Sequence, residues 1–221
     1  MSRTPDPAPV RGPDFDASCV ACPRLATHLK TVRKTHPDYH AAPVPAFGPA
    51  RAPLLIVGLA PGMHGANATG RPFTGDYAGI LLYRTLYELG LANRSESVAV
   101  DDGLKLRGCR ITNAVKCLPP ENKPTTEEIR TCNPFLQREL ARLPRKGCIL
   151  ALGKIAHDAV LRALGRKLSA HAFGHGAEHS LEPNQVLVDS YHCSRYNTQT
   201  RRLTPEMFRD VVQRARGWAS R

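Results

Sequence analysis

Four short apolar segments, Leu54–Gly58 (LLIVG), Cys109–Val115 (CRITNAV), Gly147–Leu152 (GCILAL) and Gln185–Ser190 (QVLVDS), each precede a stretch of helical character. That alternation constrains the fold more than any other feature of the chain. Runs so short and so continuously apolar suit strands buried on both faces. The stretches that follow, Ala78–Leu89, Thr126–Leu143, Lys154–Leu164 and Pro205–Trp218, read as helices. Asp76, Thr125 and Thr204 stand near their starts as N-caps, and Thr125 with Glu128 has the pattern of a capping box. Strands alternating with helices predict a parallel sheet covered on both faces. The fold class is therefore α/β, a single-domain three-layer α/β/α arrangement around a central four-stranded parallel sheet. Residues 1–14 hold four prolines and almost no large apolar groups, so a disordered tail is expected there and one domain over 15–221.

In sheets of this kind, ligands bind outside the carboxyl ends of the strands. The unusual residues of this chain fall there. GLAPGMHGANATGRPFTGDYAG follows the first strand, Asn113 and Cys117 stand at the end of the second, and YHCSRYNTQTRRLT follows the fourth. Glycines in the first loop permit positive φ and close backbone approach to a ligand. The loop lacks the G-K-[ST] ending of a nucleotide phosphate loop and the trailing acid of a dinucleotide fingerprint. Loops this long inside a compact domain are more often functional than structural.

Charge and cysteine content narrow the partners. Lys and Arg total 31 against 19 Asp and Glu, a net charge of +12, which favours polyanions and nucleic acid first among them. No apolar run approaches the ~20 residues that span a bilayer, and the start of the chain lacks a signal peptide's apolar core, so a cytoplasmic protein with no membrane partner is expected. Seven cysteines in a reducing compartment are metal ligands or free thiols sooner than disulfides. Cys19 and Cys22 form a C-x2-C pair, with Cys117 and Cys132 far downstream and fourteen residues between them. A zinc ribbon would show a second close pair, whereas one pair plus two distant cysteines suits an iron–sulfur cluster. Cys109 and Cys148 sit in strands as packing residues, and Cys193 takes no assigned role.

GLAPG-(x)2-G-(x)4-GRPFTGD resembles the first motif of the family 5 uracil-DNA glycosylases, TNAVKCLPPENKPT the second, and YHCSRYNTQTRRLTPEMF the third, built around His-x-Ser. The resemblance runs from about Ser18 to Phe208. It implies a DNA repair enzyme that hydrolyses the N-glycosidic bond of uracil, and of bases such as hypoxanthine and ethenocytosine, leaving an abasic site. It also implies a 4Fe–4S cluster on Cys19, Cys22, Cys117 and Cys132. The partner is then lesion-bearing DNA, double- or single-stranded, and the protein is expected to act as a monomer.

The implied base pocket comprises Gly58, Leu59, Ala60, Phe73 and Asn113. Phe73 offers an aromatic face for stacking, and Asn113 both gives and accepts hydrogen bonds at a flipped base edge. His192 donates to the departing base as negative charge builds on it. The related family 4 enzymes carry an acid directly after the glycine that ends the first strand. Here that position is Leu59, and the resemblance shifts the carboxylate role to Asp76, which can also cap the following helix. Ser194, Arg195, Arg201 and Arg202, in the third-motif loop, are the expected DNA contacts. Family members usually have glycine where this chain has Arg201. In HAFGHGAEH, His171, His175 and His179 recur at fours, but glycines break the helix that would align them on a metal, and a solvated loop is expected. The competing readings are a strict family 4-like enzyme, which Leu59 disfavours, a non-catalytic iron–sulfur DNA-binding protein, and an electron carrier.

Overall fold

The structure, a computed structural model, describes residues 15–181 and 185–220; the tail expected over 1–14 lies outside them. Its elements in chain order are α1 (Pro23–Thr35), β1 (Leu54–Gly58), α2 (Ala66–Thr69), α3 (Tyr77–Glu88), β2 (Cys109–Asn113), α4 (Thr126–Leu140), β3 (Cys148–Leu152), α5 (Lys154–Ala163), β4 (Glu178–Leu181), β5 (Gln185–Ser190), α6 (Arg195–Gln199) and α7 (Pro205–Ala219).

One sheet in the order β2-β1-β3-β5-β4 organises them, and β2, β1, β3 and β5 are mutually parallel as expected. Every residue of β1 and β3 is buried. The period-2 pleat sends Leu54 and Ile56 into one core with residues of α3 and α7, and Leu55 and Val57 into a second with α4 and α5. The three-layer architecture follows from those two cores.

The sheet has five strands, not four. β4 is antiparallel to β5 at the sheet edge, and its residues alternate between exposed and more buried positions. Its sequence, EHSL, has no apolar run, so pairing with β5 rather than propensity makes it a strand. This also corrects the solvated-loop expectation for His179. Half-buried on β4, its Nε2 lies 3.0 Å from Asp189 Oδ2. His157 of α5 meets the same carboxylate, with Nδ1 2.7 Å from Oδ1, while its Nε2 lies 3.0 Å from the His171 carbonyl. Both nitrogens of His157 face acceptors, an arrangement that favours the doubly protonated ring. Burial opposes that charge, but the hydrogen bond and charge of Asp189 outweigh it and raise the pKa.

The caps are as the sequence predicts. Asp76 accepts from the Gly79 N–H, Thr125 and Glu128 form a reciprocal capping box, and Thr204 accepts from the Met207 N–H. The third-motif loop differs from expectation, because Ser194 caps a short helix, α6, instead of opening an irregular loop. Strand register then builds the site. Gly58 and Asn113 are paired neighbours at the ends of β1 and β2, and Ser190 ends β5 beside Leu152.

Candidate active site

A cleft of about 360 Å³ opens at the carboxyl ends of β1, β2 and β5. Leu59, Ala60, Phe73, Asp76, Asn113, His192 and Ser194 all line it. Three motifs separated by long stretches of chain thus converge on one cavity. Gly62, Ala66, Ala78 and Asn122 complete the lining and were not singled out from the sequence. Asn122 had a signal: it lies in the second motif and takes φ of 58°, a left-handed conformation that asparagine tolerates well.

Gly58, expected in the base pocket, is not itself among the lining residues but lies beneath two of them, Asn113 and Phe73. A Cβ there would lie 2.5 Å from Asn113 Oδ1 and 2.6 Å from Phe73 Cζ, so only glycine lets the amide and the ring approach the end of β1. Phe73 itself takes φ of 57°. Its ring lies nearly parallel to that of His192, at 28° with centroids 5.9 Å apart.

Asn113 is 3% exposed, and its buried Oδ1 has no hydrogen-bond partner. An orphaned buried acceptor costs roughly 1–3 kcal/mol, and native structures rarely keep one without a reason. A ligand N–H entering the cleft would satisfy it.

Asp76 divides its carboxylate. Oδ1 accepts the Gly79 N–H at 2.8 Å as the cap of α3, and Oδ2 lies toward Gly62 and Gly65 in the loop. A Cβ at Gly65 would come within 2.7 Å of that oxygen. Burial raises the Asp76 pKa above the usual carboxylate range, and hydrogen bonds from the Gly79 and Ala78 N–H groups only partly oppose it. Burial also pushes His192 down to about 4, so its ring is neutral at physiological pH and carries one N–H. The cleft therefore offers a carboxyl group, a neutral imidazole, an aromatic face and an amide.

Arg195, Arg201 and Arg202 are exposed on the segment that follows β5 and lie outside the lining of the cleft. The Arg195 guanidinium sits 5.1 Å from the Tyr77 ring centroid, and that of Arg202 sits 4.5 Å from the Tyr191 ring centroid. Arg201 takes φ of 55°, a backbone conformation that suits the glycine the motif resemblance leads one to expect there.

Away from the cleft lining, Cys19, Cys22, Cys117 and Cys132 line one small space with Leu25 and Phe135. Burial raises the Cys22 thiol to about 11 and the Cys117 thiol to about 12, and the neighbouring cysteines add to both shifts. A bound cation would relieve that crowding of thiolates. Four cysteine thiols facing one space are a ligand set that an iron–sulfur cluster takes. The Lys116 N–H donates to Cys132 Sγ at 3.3 Å. Cys109, Cys148 and Cys193 are fully buried elsewhere in the core.

The model of the Uracil DNA glycosylase superfamily matches residues 45–216. A Type-5 uracil-DNA glycosylase of Thermus thermophilus is 48% identical over 204 residues, covering 90% of this chain and 93% of its own. One of Pyrobaculum aerophilum is 42% identical over 202 residues, covering 90% and 88%. A Type-4 uracil-DNA glycosylase of Saccharolobus solfataricus is 30% identical over 176 residues, covering 77% and 74%.

Proposed function

The chain belongs to the type-5 branch of the uracil DNA glycosylase superfamily, and on that premise we propose that its cleft excises uracil from DNA by hydrolysing the base–sugar bond. The observation that carries the reading is the orphaned Oδ1 of Asn113, buried in the cleft among Phe73, Asp76 and His192. Uracil presents an N–H flanked by two carbonyl oxygens, so the Asn113 amide can accept from N3–H and donate to an adjacent oxygen. Cytosine presents an acceptor at N3 and leaves Oδ1 orphaned. Buried polar groups left unpaired by the wrong ligand discriminate strongly.

Phe73 stacks on the flipped base, and His192 donates its single N–H to the base oxygen on which charge accumulates. The anionic Asp76 faces the sugar side, where it positions water or stabilises the cationic sugar. No lysine lies among the described lining residues, so the mechanism runs without a Schiff base. Leu59, Ala60, Ala66 and Ala78 give the cleft apolar walls, and hypoxanthine, whose N1–H lies beside a carbonyl oxygen, can meet Asn113 as uracil does, which supports it as a further substrate. The exposed Arg195, Arg201 and Arg202 hold DNA phosphates beside the cleft, with Ser194 at its rim.

Duplexes carrying a single uracil should acquire alkali-labile sites with no added metal or nucleotide. Intact strands at excess enzyme would refute the reading. Gly58→Ala should excise at least tenfold more slowly, since displacing reacting groups by about 1 Å costs up to ~10²-fold; an unimpaired variant would remove Gly58 from the base pocket.

Cys19, Cys22, Cys117 and Cys132 are the ligands of a 4Fe–4S cluster in this reading. Bound there, the cluster supplies a structural cross-link between the N-terminal segment and the middle of the chain, and no redox step. The fresh protein should be brown, with about four irons per chain. Alanine at any of the four positions should lose iron and solubility, while Cys193→Ala keeps the iron. Stoichiometric zinc in place of iron in anaerobically prepared protein would overturn the assignment.

A further inference from the structure

The stretch from the end of α5 through β4 contributes nothing to the lining of the cleft, yet it carries His171, His175 and His179. Their ring nitrogens go to three different places. His171 Nδ1 lies 3.1 Å from the Lys167 carbonyl, His179 Nε2 lies 3.0 Å from Asp189, and His175 Nδ1 accepts the Tyr191 N–H at 3.1 Å. Tyr191 immediately precedes His192. We propose that His175 is a positioning residue for His192, fixing the backbone turn that aims the imidazole into the cleft. The proposal rests on the reading of His192 as donor to the departing base.

β5 ends at Ser190, whose carbonyl accepts the Gly153 N–H at 2.8 Å. The chain then leaves the sheet. His175 supplies the acceptor for the next N–H, that of Tyr191, and a nitrogen that accepts carries no proton. The His175 ring is therefore neutral, with its hydrogen on Nε2. Its surroundings favour that state, since burial and the nearby Arg214 of α7 both lower its pKa. The His175 ring also stacks on the Tyr191 ring, with centroids 5.0 Å apart and planes at 19°. One side chain thus grips both the backbone and the ring of Tyr191. On the other side of His192, Asn197 Nδ2 donates to the His192 carbonyl at 2.8 Å, and Cys193 is fully buried. His192 is held from both directions, and the upstream hold is His175. The clamp is itself anchored: Arg214 Nη1 donates to the Gly176 carbonyl at 3.2 Å and reaches Glu178 at 3.3 Å.

The test is single-turnover excision of uracil from a duplex, with binding to a duplex bearing an uncleavable uracil analogue measured in parallel. His175→Ala should excise about tenfold more slowly with binding unchanged, because misaimed groups cost rate and not affinity. His175→Asn should stay within about threefold of wild type, since the asparagine Oδ1 reaches the position of Nδ1 and accepts the same N–H. His175→Gln extends its polar end past that position and should be slow, a comparison that stands even if the alanine variant misfolds. The decisive arm is the double variant. If His175 acts through His192, adding His175→Ala to His192→Ala should produce no further loss, whereas a merely structural effect would multiply. Wild-type rates in both His175→Ala and His175→Gln, or a full additional loss in the double variant, would overturn the positioning role while leaving the donor reading intact. Wild-type excision by His192→Ala would overturn the donor reading and the proposal with it.

Discussion

Asp76→Asn should excise uracil about 10²–10³-fold more slowly than wild type in single turnover, with duplex binding unchanged. Asparagine is among the best N-cap residues, so Oδ1 can still accept the Gly79 N–H and α3 keeps its start. What the substitution removes is the negative charge, and that charge gains importance only as the sugar becomes cationic. The sign of the pKa shift adds a second expectation. Because folding raises the Asp76 pKa, ionised Asp76 costs stability at neutral pH, and the cost disappears as pH falls through the raised value. Asp76→Asn should therefore melt at or above the wild-type temperature. The wild-type rate should also decline on the acid side as the carboxylate protonates. An Asp76→Asn variant that excises at the wild-type rate would reduce the residue to a helix cap.

His192→Ala should lose rate on a comparable scale, about 10²–10³-fold, again with binding nearly preserved. The ring is already neutral well below the ordinary imidazole value of 6.5, because burial lowers its pKa to about 4. The rate of the wild type should consequently show no inflection near 6.5 attributable to this residue. An inflection there that vanishes in His192→Ala would mean that the imidazolium is the working form. Stability carries the matching signature. The neutral ring's contribution is fully present above about 6.5 and is lost as pH falls toward 4, where protonation favours the unfolded chain.

The central sheet was legible because β1 and β3 are continuous apolar runs and β5 has an apolar centre, and such runs followed by helices leave few alternatives. Phe73, Asp76, Asn113 and His192 were legible as a set only through the motifs that hold them; that they share one cleft depends on register between strands far apart in sequence. β4 was not legible, because an edge strand of exposed polar residues has no pattern of its own. α1 left a signal that went unused: Pro23 at the first turn, with Leu25, Leu29 and Val32 on one buried stripe. The positive φ of Phe73 has no sequence mark at all, since nothing about phenylalanine favours it. The reach of His175 to Tyr191 was equally hidden, because the two meet only after β4 has folded back along β5.

α1 also has an unusual timetable. Several of its partners are made late: Leu25 shares a core with Ile129 and Cys132, Leu29 and Val32 share one with Leu118 as well as the nearby Ala41, and Arg24 pairs with Glu128 across 104 residues. At roughly 5–20 residues per second, a ribosome takes about 5–20 s to cover that distance. A 13-residue helix is marginal in water by itself, and through this interval α1 has only nearby residues such as Ala41 to pack on. The helix is thus complete well before the residues that fix its other face, and for those seconds part of its apolar stripe stays open to chaperones and to other nascent chains.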